Sequence, residues 1–465
     1  MTAEKYNMRF LLSVSLVSAL GGLLFGYDYV VIGGAKPFYE PYFGVSGSPV
    51  LQGWAMGCAL IGCLAGAIVS GTLSDRFGRK RLLIVSALLF VTASLGTGAA
   101  WSFSVFVAFR ILGGIGIGIA SNISPLYIAE ITPARLRGRF VSINQLTIVI
   151  GILAAQLINW RIARPVPQGF TLNDILTSWN GQVAWRLMFY ACAIPALLFL
   201  VLALFIPESP RWLARDEKKR PLALTILEKA GGSEYARIEL DSINDTMNGA
   251  GAKLEKGWFR KPGIPKLLLL GVILAVFQQW CGINVIFNYA QEVFSSAGYS
   301  ISDILFNIVI TGSVNLLFTF VGMFTVDRLG RKGLMLTGAG GLAGIFGVVG
   351  LLYFLHVKGL ALLLMVVAAI ACYSMSLAPV TWVILSEIFP NRIRGAAMSV
   401  ATFALWAACF VLTYTFPILN HLLKASGTFW LYALISLAGF FYILKRLPET
   451  KGKSLETIEH ELTGI

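Results

Sequence analysis

Apolar runs long enough to cross a bilayer recur along nearly the whole of this 465-residue chain. Twelve can be marked, at roughly 9–34, 50–73, 81–101, 104–130, 138–160, 185–206, 264–294, 304–326, 333–355, 359–388, 394–417 and 424–444. A hydrocarbon core takes about 20 residues of helix to span. Inside it every backbone N–H and C=O must be satisfied within the protein. Runs of this length and number therefore predict an all-α membrane protein of twelve transmembrane helices. Composition agrees: 57% of residues are hydrophobic and only 13% charged, against about 25% charged in a soluble chain.

The net charge of +14 would suit a nucleic-acid partner, but its placement argues otherwise. Of the 37 Lys and Arg, 30 fall in alternate loops and the two termini, taken as one side. Six (Lys36, Arg161, Arg164, Arg186, Lys358 and Lys424) fall in the other set of loops, and Arg110 lies inside a span. This asymmetry is the positive-inside pattern, which predicts cytoplasmic termini and a multi-pass protein of the cell (plasma or inner) membrane, with no nucleic-acid partner. The six cysteines (Cys58, Cys63, Cys192, Cys281, Cys372 and Cys409) all lie in apolar runs without metal-like spacing to His, so neither a metal nor another cofactor is expected. The first apolar run is too long for a cleavable signal peptide and lacks a clear cleavage site.

The two halves of the chain repeat one another. Asp75-Arg76-Phe77-Gly78-Arg79-Lys80 follows span 2, and Asp327-Arg328-Leu329-Gly330-Arg331-Lys332 follows span 8. Glu130 with Arg137-Gly138 closes span 4, and Glu387 with Arg394-Gly395 closes span 10. Pro207-Glu208-Ser209 follows span 6, and Pro448-Glu449-Thr450 follows span 12. Three motif pairs in one order indicate duplication, and parallel repeats about the membrane normal are the arrangement of the major facilitator fold. The organisation expected is an N-terminal six-helix half over 1–206, a cytoplasmic linker with short helices over 207–263, a C-terminal six-helix half over 264–445 and a cytoplasmic tail over 446–465. In the linker, Tyr235, Ile238, Ile243 and Met247 recur at near-helical spacing, which predicts an amphipathic helix. Each glycine between the charges permits a tight turn. The charges Asp75, Arg79, Glu130, Arg137, Glu208, Asp327, Arg331, Glu387, Arg394 and Glu449 read as a cytoplasmic gate whose ion pairs hold the halves together.

Span 7 is the stretch that points to function. Its middle carries Gln278, Gln279, Asn284 and Asn288. An unpaired amide in hydrocarbon costs several kcal/mol, of order 4 to 8 by alkane transfer, so these side chains should face protein or water rather than lipid. At about 100° per residue, Gln278, Asn284 and Asn288 share an arc of about 120° while Gln279 lies roughly 140° from Asn284. A straight helix cannot aim all four at one point, and Gly282 is the place for it to loosen. Broken helices with converging polar groups mark substrate sites in transporters. The plainer alternative is that the amides only bind helix to helix.

These motifs resemble the sugar porter family of the major facilitator superfamily, over nearly the whole chain. The residues that carry the resemblance are DRFGRK and DRLGRK, PESPRWL at Pro207–Leu213, QQWCGIN at Gln278–Asn284 and LPETKG at Leu447–Gly452. The resemblance implies a monosaccharide carrier working by alternating access. It implies that Gln278, Gln279 and Asn284 bind sugar hydroxyls, as do Gln145 on span 5 and Asn315 on span 8, with Trp382, Trp406 and Phe25 lining the pocket. Amides suit such a ligand because hydroxyls both donate and accept. The family's bacterial xylose symporters have Tyr at the position of Asn288, Trp at that of Leu377 and Gln at that of Leu405, which argues against xylose as the sugar.

Asp28 lies within span 1, where a carboxylate is expensive and functional by default. Desolvation favours its neutral form, and a nearby cation favours its charged form. Arg110 is the only basic residue that the sequence places inside a span. In the symporters that this chain resembles, the matching residues pair, whereas facilitative relatives replace the aspartate by an uncharged residue. The expectation is a proton-coupled monosaccharide symporter, a functional monomer in the lipid bilayer. The rivals are an uncoupled facilitative sugar or polyol carrier, a transporter-like sugar sensor and a drug efflux pump. An enzyme is not expected: no Walker loop, HExxH or nucleophile elbow is present, and there are only 3 His.

Overall fold

The computed structural model describes residues 6–167, 169–249, 259, 263–389 and 393–451. Among them there is no strand. The chain opens with α1 (Met8–Phe43), α2 (Pro49–Phe77), α3 (Arg79–Ala99), α4 (Phe103–Ile131) and α5 (Arg137–Ile162). A short α6 (Leu172–Thr177) precedes α7 (Trp185–Phe205). Next come the polar α8 (Pro210–Leu213) and α9 (Arg220–Gly249). The second run is α10 (Ile264–Trp280), α11 (Ile283–Asn288), α12 (Ala290–Ser296), α13 (Ile301–Leu329), α14 (Arg331–Phe354), α15 (Leu360–Met375), α16 (Leu377–Ile388) and α17 (Arg394–Arg446).

Among the described residues, eleven helices are long and apolar enough to cross a membrane. The last of them holds two crossings. Within α17, Lys424 takes φ 57° and ψ 174°, which breaks the helical path between the apolar runs expected as spans 11 and 12. Helix starts follow local chemistry. Ser102 caps α4 by accepting from the Val105 N–H, and Ser300 caps α13 by accepting from Asp303. Thr171 and Asp174 form a reciprocal capping box on α6.

The chain divides into two compact units. The first holds Met1–Asp28, Ile61–Ile152 and Phe189–Glu255, and the second Tyr29–Leu60, Leu153–Met188 and Lys256–Ile465. Helices α1, α2, α5 and α7 each contribute one end to each unit. In the first unit α3 packs along α4, and small residues let α2 and α4 approach closely. A Cβ on Gly62 would strike the Ile111 carbonyl, and one on Gly118 the Cys63 carbonyl. In the second unit α17 packs on α10 and α14, and α13 on α15.

Two sequence expectations need correction here. In α9 the chain turns at Gly232 (φ 86°), and the buried face beyond it carries Tyr235, Ala236 and Ile243. Ile238 is 60% exposed and not part of that face, and the side chain of Met247 lies outside the described residues. Lys36, assigned above to a loop, sits inside α1 and is 1% exposed. Hydropathy reads a lysine near the end of a run as a boundary, but α1 runs on to Phe43 and turns it inward.

Candidate substrate and proton sites

In the second unit the helix of span 7 does break at Gly282, which takes φ 92° and ψ −9°. That conformation suits glycine alone among common residues without strain. A Cβ there would also lie 2.8 Å from Tyr432 Cβ and Cγ. The backbone freed at the break is partly resatisfied, because Ser436 Oγ donates to the Cys281 carbonyl at 3.4 Å. A second interruption, at Ser376 between α15 and α16, lies beside Tyr373 and Ser374.

The break brings Gln279 into line with its neighbours. Asn284 Nδ2 donates to Gln279 Oε1 at 2.5 Å, and Gln279 Nε2 donates to Gln278 Oε1 at 2.5 Å. Gln278 Nε2 then donates to the Tyr373 hydroxyl at 2.7 Å. Asn288 Nδ2 donates to the Tyr29 hydroxyl on α1 at 3.0 Å. On α13, Asn315 Oδ1 accepts from Ser374 Oγ at 2.6 Å. All five amides are buried, between 4 and 7% exposed. Linked hydrogen bonds polarise one another, so this array is held more firmly than separate pairs would be.

The other expected pocket residues are placed less uniformly. Trp406 on α17 is buried, whereas Trp382 on α16 is 37% exposed. In the first unit Phe25 on α1 and Gln145 on α5 are half-buried. Sequence reasoning missed Tyr29, Tyr373 and Ser374. Their signal was a hydroxyl inside an apolar run, which barely lowers hydropathy.

Also in the first unit, Arg110 Nη1 donates to both carboxylate oxygens of Asp28, each at 2.8 Å. Arg110 is 3% and Asp28 4% exposed. The Phe189 ring lies 5.8 Å from the guanidinium carbon. The desolvation of two such charges is repaid only while they stay paired.

The repeated motifs build two matching networks. Gly78 (φ 93°) turns the chain from α2 into α3, and Glu208 Oε1 accepts from the exposed N–H groups of Arg79 and Lys80 at 2.9 and 3.1 Å. Arg79 Nη2 donates to Glu130 Oε1 at 2.9 Å and Nη1 lies 3.3 Å from Asp75 Oδ1. Ser209 Oγ donates to Glu130 Oε2 at 2.5 Å. In the second copy Glu449 accepts from Arg331 and Lys332 N–H at 2.9 and 3.1 Å, Arg331 Nη2 donates to Glu387 at 3.1 Å, and Thr450 Oγ1 donates to Glu387 at 2.6 Å. Burial pushes the Glu449 carboxyl up, but backbone N–H donors from Lys451, Arg331, Lys332 and Thr450 outweigh it and hold the group below the usual glutamate range.

No bond named in these networks joins residues 1–249 to residues 263–451. The expected clamp from half to half is therefore, in these bonds, a brace inside each half, because the nearest partner for the arginine after the turn is the glutamate ending a neighbouring helix. Arg137 does not pair with Glu130. Its Nε donates to the Ala129 carbonyl at 2.9 Å, closing the end of α4. The side chains of Asp327 and Arg394 lie outside the described residues. Among the described residues no group of three or more His, Cys, Asp or Glu could hold a metal.

The profile of the family described as "Sugar (and other) transporter" matches residues 14–462. The chain belongs to this family. Among the relatives of this transporter is the D-xylose-proton symporter of Escherichia coli (strain K12), 38% identical over 98% of this chain and 96% of the relative. The arabinose-proton symporter of Bacillus subtilis (strain 168) is 34% identical over 98% and 96% of the two chains. The inward-open structure of the xylose transporter XylE from E. coli superposes with a TM-score of 0.84 at 35% identity, over 97% of this chain and 100% of that one. The transporter thus has the major facilitator fold, is a multi-pass membrane protein and is not an enzyme.

Proposed function

We propose that this transporter couples the uptake of a monosaccharide, a pentose or a hexose, to the entry of protons by alternating access. The observation that carries the reading is the pairing of two features in one family member: a buried array of neutral amides and a bidentate Asp28–Arg110 pair. Neutral donors and acceptors match a polyhydroxylated solute and let it leave again, since no charge must be desolvated twice. Gln278, Gln279, Asn284, Asn288 and Asn315 bind the sugar, with Gln145, Phe25, Trp382 and Trp406 as further pocket residues. Asp28 carries the proton, and Arg110 senses its charge. Sugar and proton bias one conformational equilibrium, so their fluxes are linked. The braces around Arg79 and Arg331 keep each half rigid while it moves. The positive-inside pattern supports cytoplasmic termini and braces on the cytoplasmic side. The working unit is a monomer in the cell's inner or plasma membrane.

The test is counterflow in proteoliposomes with a panel of radiolabelled pentoses, hexoses and polyols, repeated with an imposed pH gradient. One sugar should accumulate above equilibrium only with the gradient present. Gradient-insensitive exchange of the same sugar would favour an uncoupled carrier instead.

A further inference from the structure

The second unit contains a charge cluster that no part of this scheme uses. Lys36, 1% exposed on α1, forms a direct ion pair with Glu292 of α12. Its Nζ also lies 3.3 Å from Oε1 of Glu40, one turn further along α1. The face of the Tyr289 ring is 5.0 Å from the ammonium. Glu40 is 6% exposed, and Gln52 Nε2 on α2 donates to its Oε2 at 3.4 Å. Oε2 of Glu292 is buried with no hydrogen-bond donor among the described residues.

The charge count separates this cluster from the Asp28–Arg110 pair. That pair sets one carboxylate against one cation. Here two carboxylates, Glu40 buried and Glu292 partly exposed, share one ammonium, so with all three ionised a negative charge is left over. An uncompensated charge beside a buried ammonium is costly to hold, and the local remedy is a proton. We propose that Lys36, Glu40 and Glu292 form a second proton-binding site, in which Glu40 takes the proton. Glu40 is the better seat because Glu292 is in direct contact with the ammonium and its side chain is more exposed, at 23% against 7%. The groups facing Glu40 are Lys36 on its own helix, Glu292 and Tyr289 from the α11–α12 segment, and Gln52 from α2. None of them supplies a second cation.

The cluster ties span 1 of the first half to the segment that follows span 7 of the second. With the proton bound it is neutral and the contact is stable. Without it, surplus charge pushes α12 away from α1. Lys36, Glu40 and Glu292 all lie in the second unit, so this proton binds without the Asp28–Arg110 pair of the first. The site sets how readily α1 and α12 separate, and its proton does not travel with the sugar. This last consequence rests on the symport reading; the binding of the proton does not.

The experiment uses the full-length protein in detergent and in proteoliposomes. Infrared difference spectroscopy at neutral pH should show the carbonyl stretch of a buried, protonated carboxylic acid. The band should persist in Asp28→Asn and vanish in Glu40→Gln. It should vanish too in Glu292→Gln, which leaves one carboxylate for one ammonium and so covers the case in which Glu40→Gln does not fold. In vesicles holding Asp28→Asn, raising the external pH should slow sugar exchange, and adding Glu40→Gln should remove that slowing. A band that survives both glutamine substitutions, or that disappears with Asp28→Asn alone, overturns the proposal. Absence of proton-driven accumulation in wild type would overturn the symport reading and leave the infrared result standing.

Discussion

Replacing Asp28 by Asn removes the one carboxylate that Arg110 holds through both oxygens at 2.8 Å. Asp28 offers one carboxylate, so the expectation is one carried proton per sugar. With a gradient of one pH unit and 100 mV, a single proton supplies about 1.4 kcal/mol from the first and about 2.3 kcal/mol from the second. At about 1.4 kcal/mol per decade, the sum supports roughly 500-fold accumulation. Asp28→Asn should bring that ratio to one and leave exchange without a gradient in place, because the amide array lies in the other unit. The substitution also leaves a guanidinium that is 3% exposed without its counter-ion. Breaking a buried pair from one side costs about 3 to 5 kcal/mol, a large part of the roughly 5 to 15 kcal/mol that holds a typical domain together. The yield of folded protein should fall, and Asp28→Asn/Arg110→Gln, which removes both charges, should restore it. The assay is uptake into proteoliposomes under the imposed gradient, set beside counterflow in the same vesicles. Accumulation by Asp28→Asn at the wild-type ratio would refute the assignment of the carried proton.

Three further outcomes follow from the geometry. Gln279→Ala removes an amide proposed to bond sugar hydroxyls and unties Gln278 and Asn284 from it; with one or two sugar bonds of about 1 kcal/mol net each lost, KM in counterflow should rise about 5- to 30-fold with kcat little changed, and an unchanged KM would remove Gln279 from the site. Gly282→Ala forces a side chain into a left-handed backbone conformation, costing about 1 to 2 kcal/mol before the overlap with Tyr432 is counted, and the thermal midpoint in detergent should drop measurably. The Glu449 carboxyl is held below its ordinary range, so the stabilisation it gives is present above about pH 4.3, where the unfolded group ionises, and is lost as pH falls through the lower folded value. Hydrogen exchange at the Arg331 and Lys332 amides should therefore differ between wild type and Glu449→Gln at pH 7 and converge in strong acid; equal protection at pH 7 would remove the brace from Glu449.

How much of this was legible in the sequence depended on which physical rule each residue obeys. Spans follow from hydropathy because lipid tolerates few exceptions, and even the doubled crossing hidden in α17 shows as two apolar runs on either side of Lys424. The break at Gly282 was legible because four amides cannot share one straight face. Partner choice was not. Arg137 turning to a carbonyl, and Arg79 pairing within its own half, depend on which acceptor a folded backbone brings nearest. Hydroxyls stayed hidden for the opposite reason: Tyr29, Tyr373 and Ser374 disturb an apolar run so little that nothing marks them. Lys36 misled because a charge near the end of a run is usually at water, and only the unbroken path of α1 to Phe43 shows that this one is not.

The paired networks have a consequence for how such a chain can be made. Glu208 and Ser209 return to the turn between α2 and α3, and Glu449 and Thr450 return to the turn between α13 and α14. Each set of six crossings is thus fastened by the segment that follows its last crossing to the turn after its second. Severing the chain between residues 249 and 263 would leave each of these fastenings whole within one fragment.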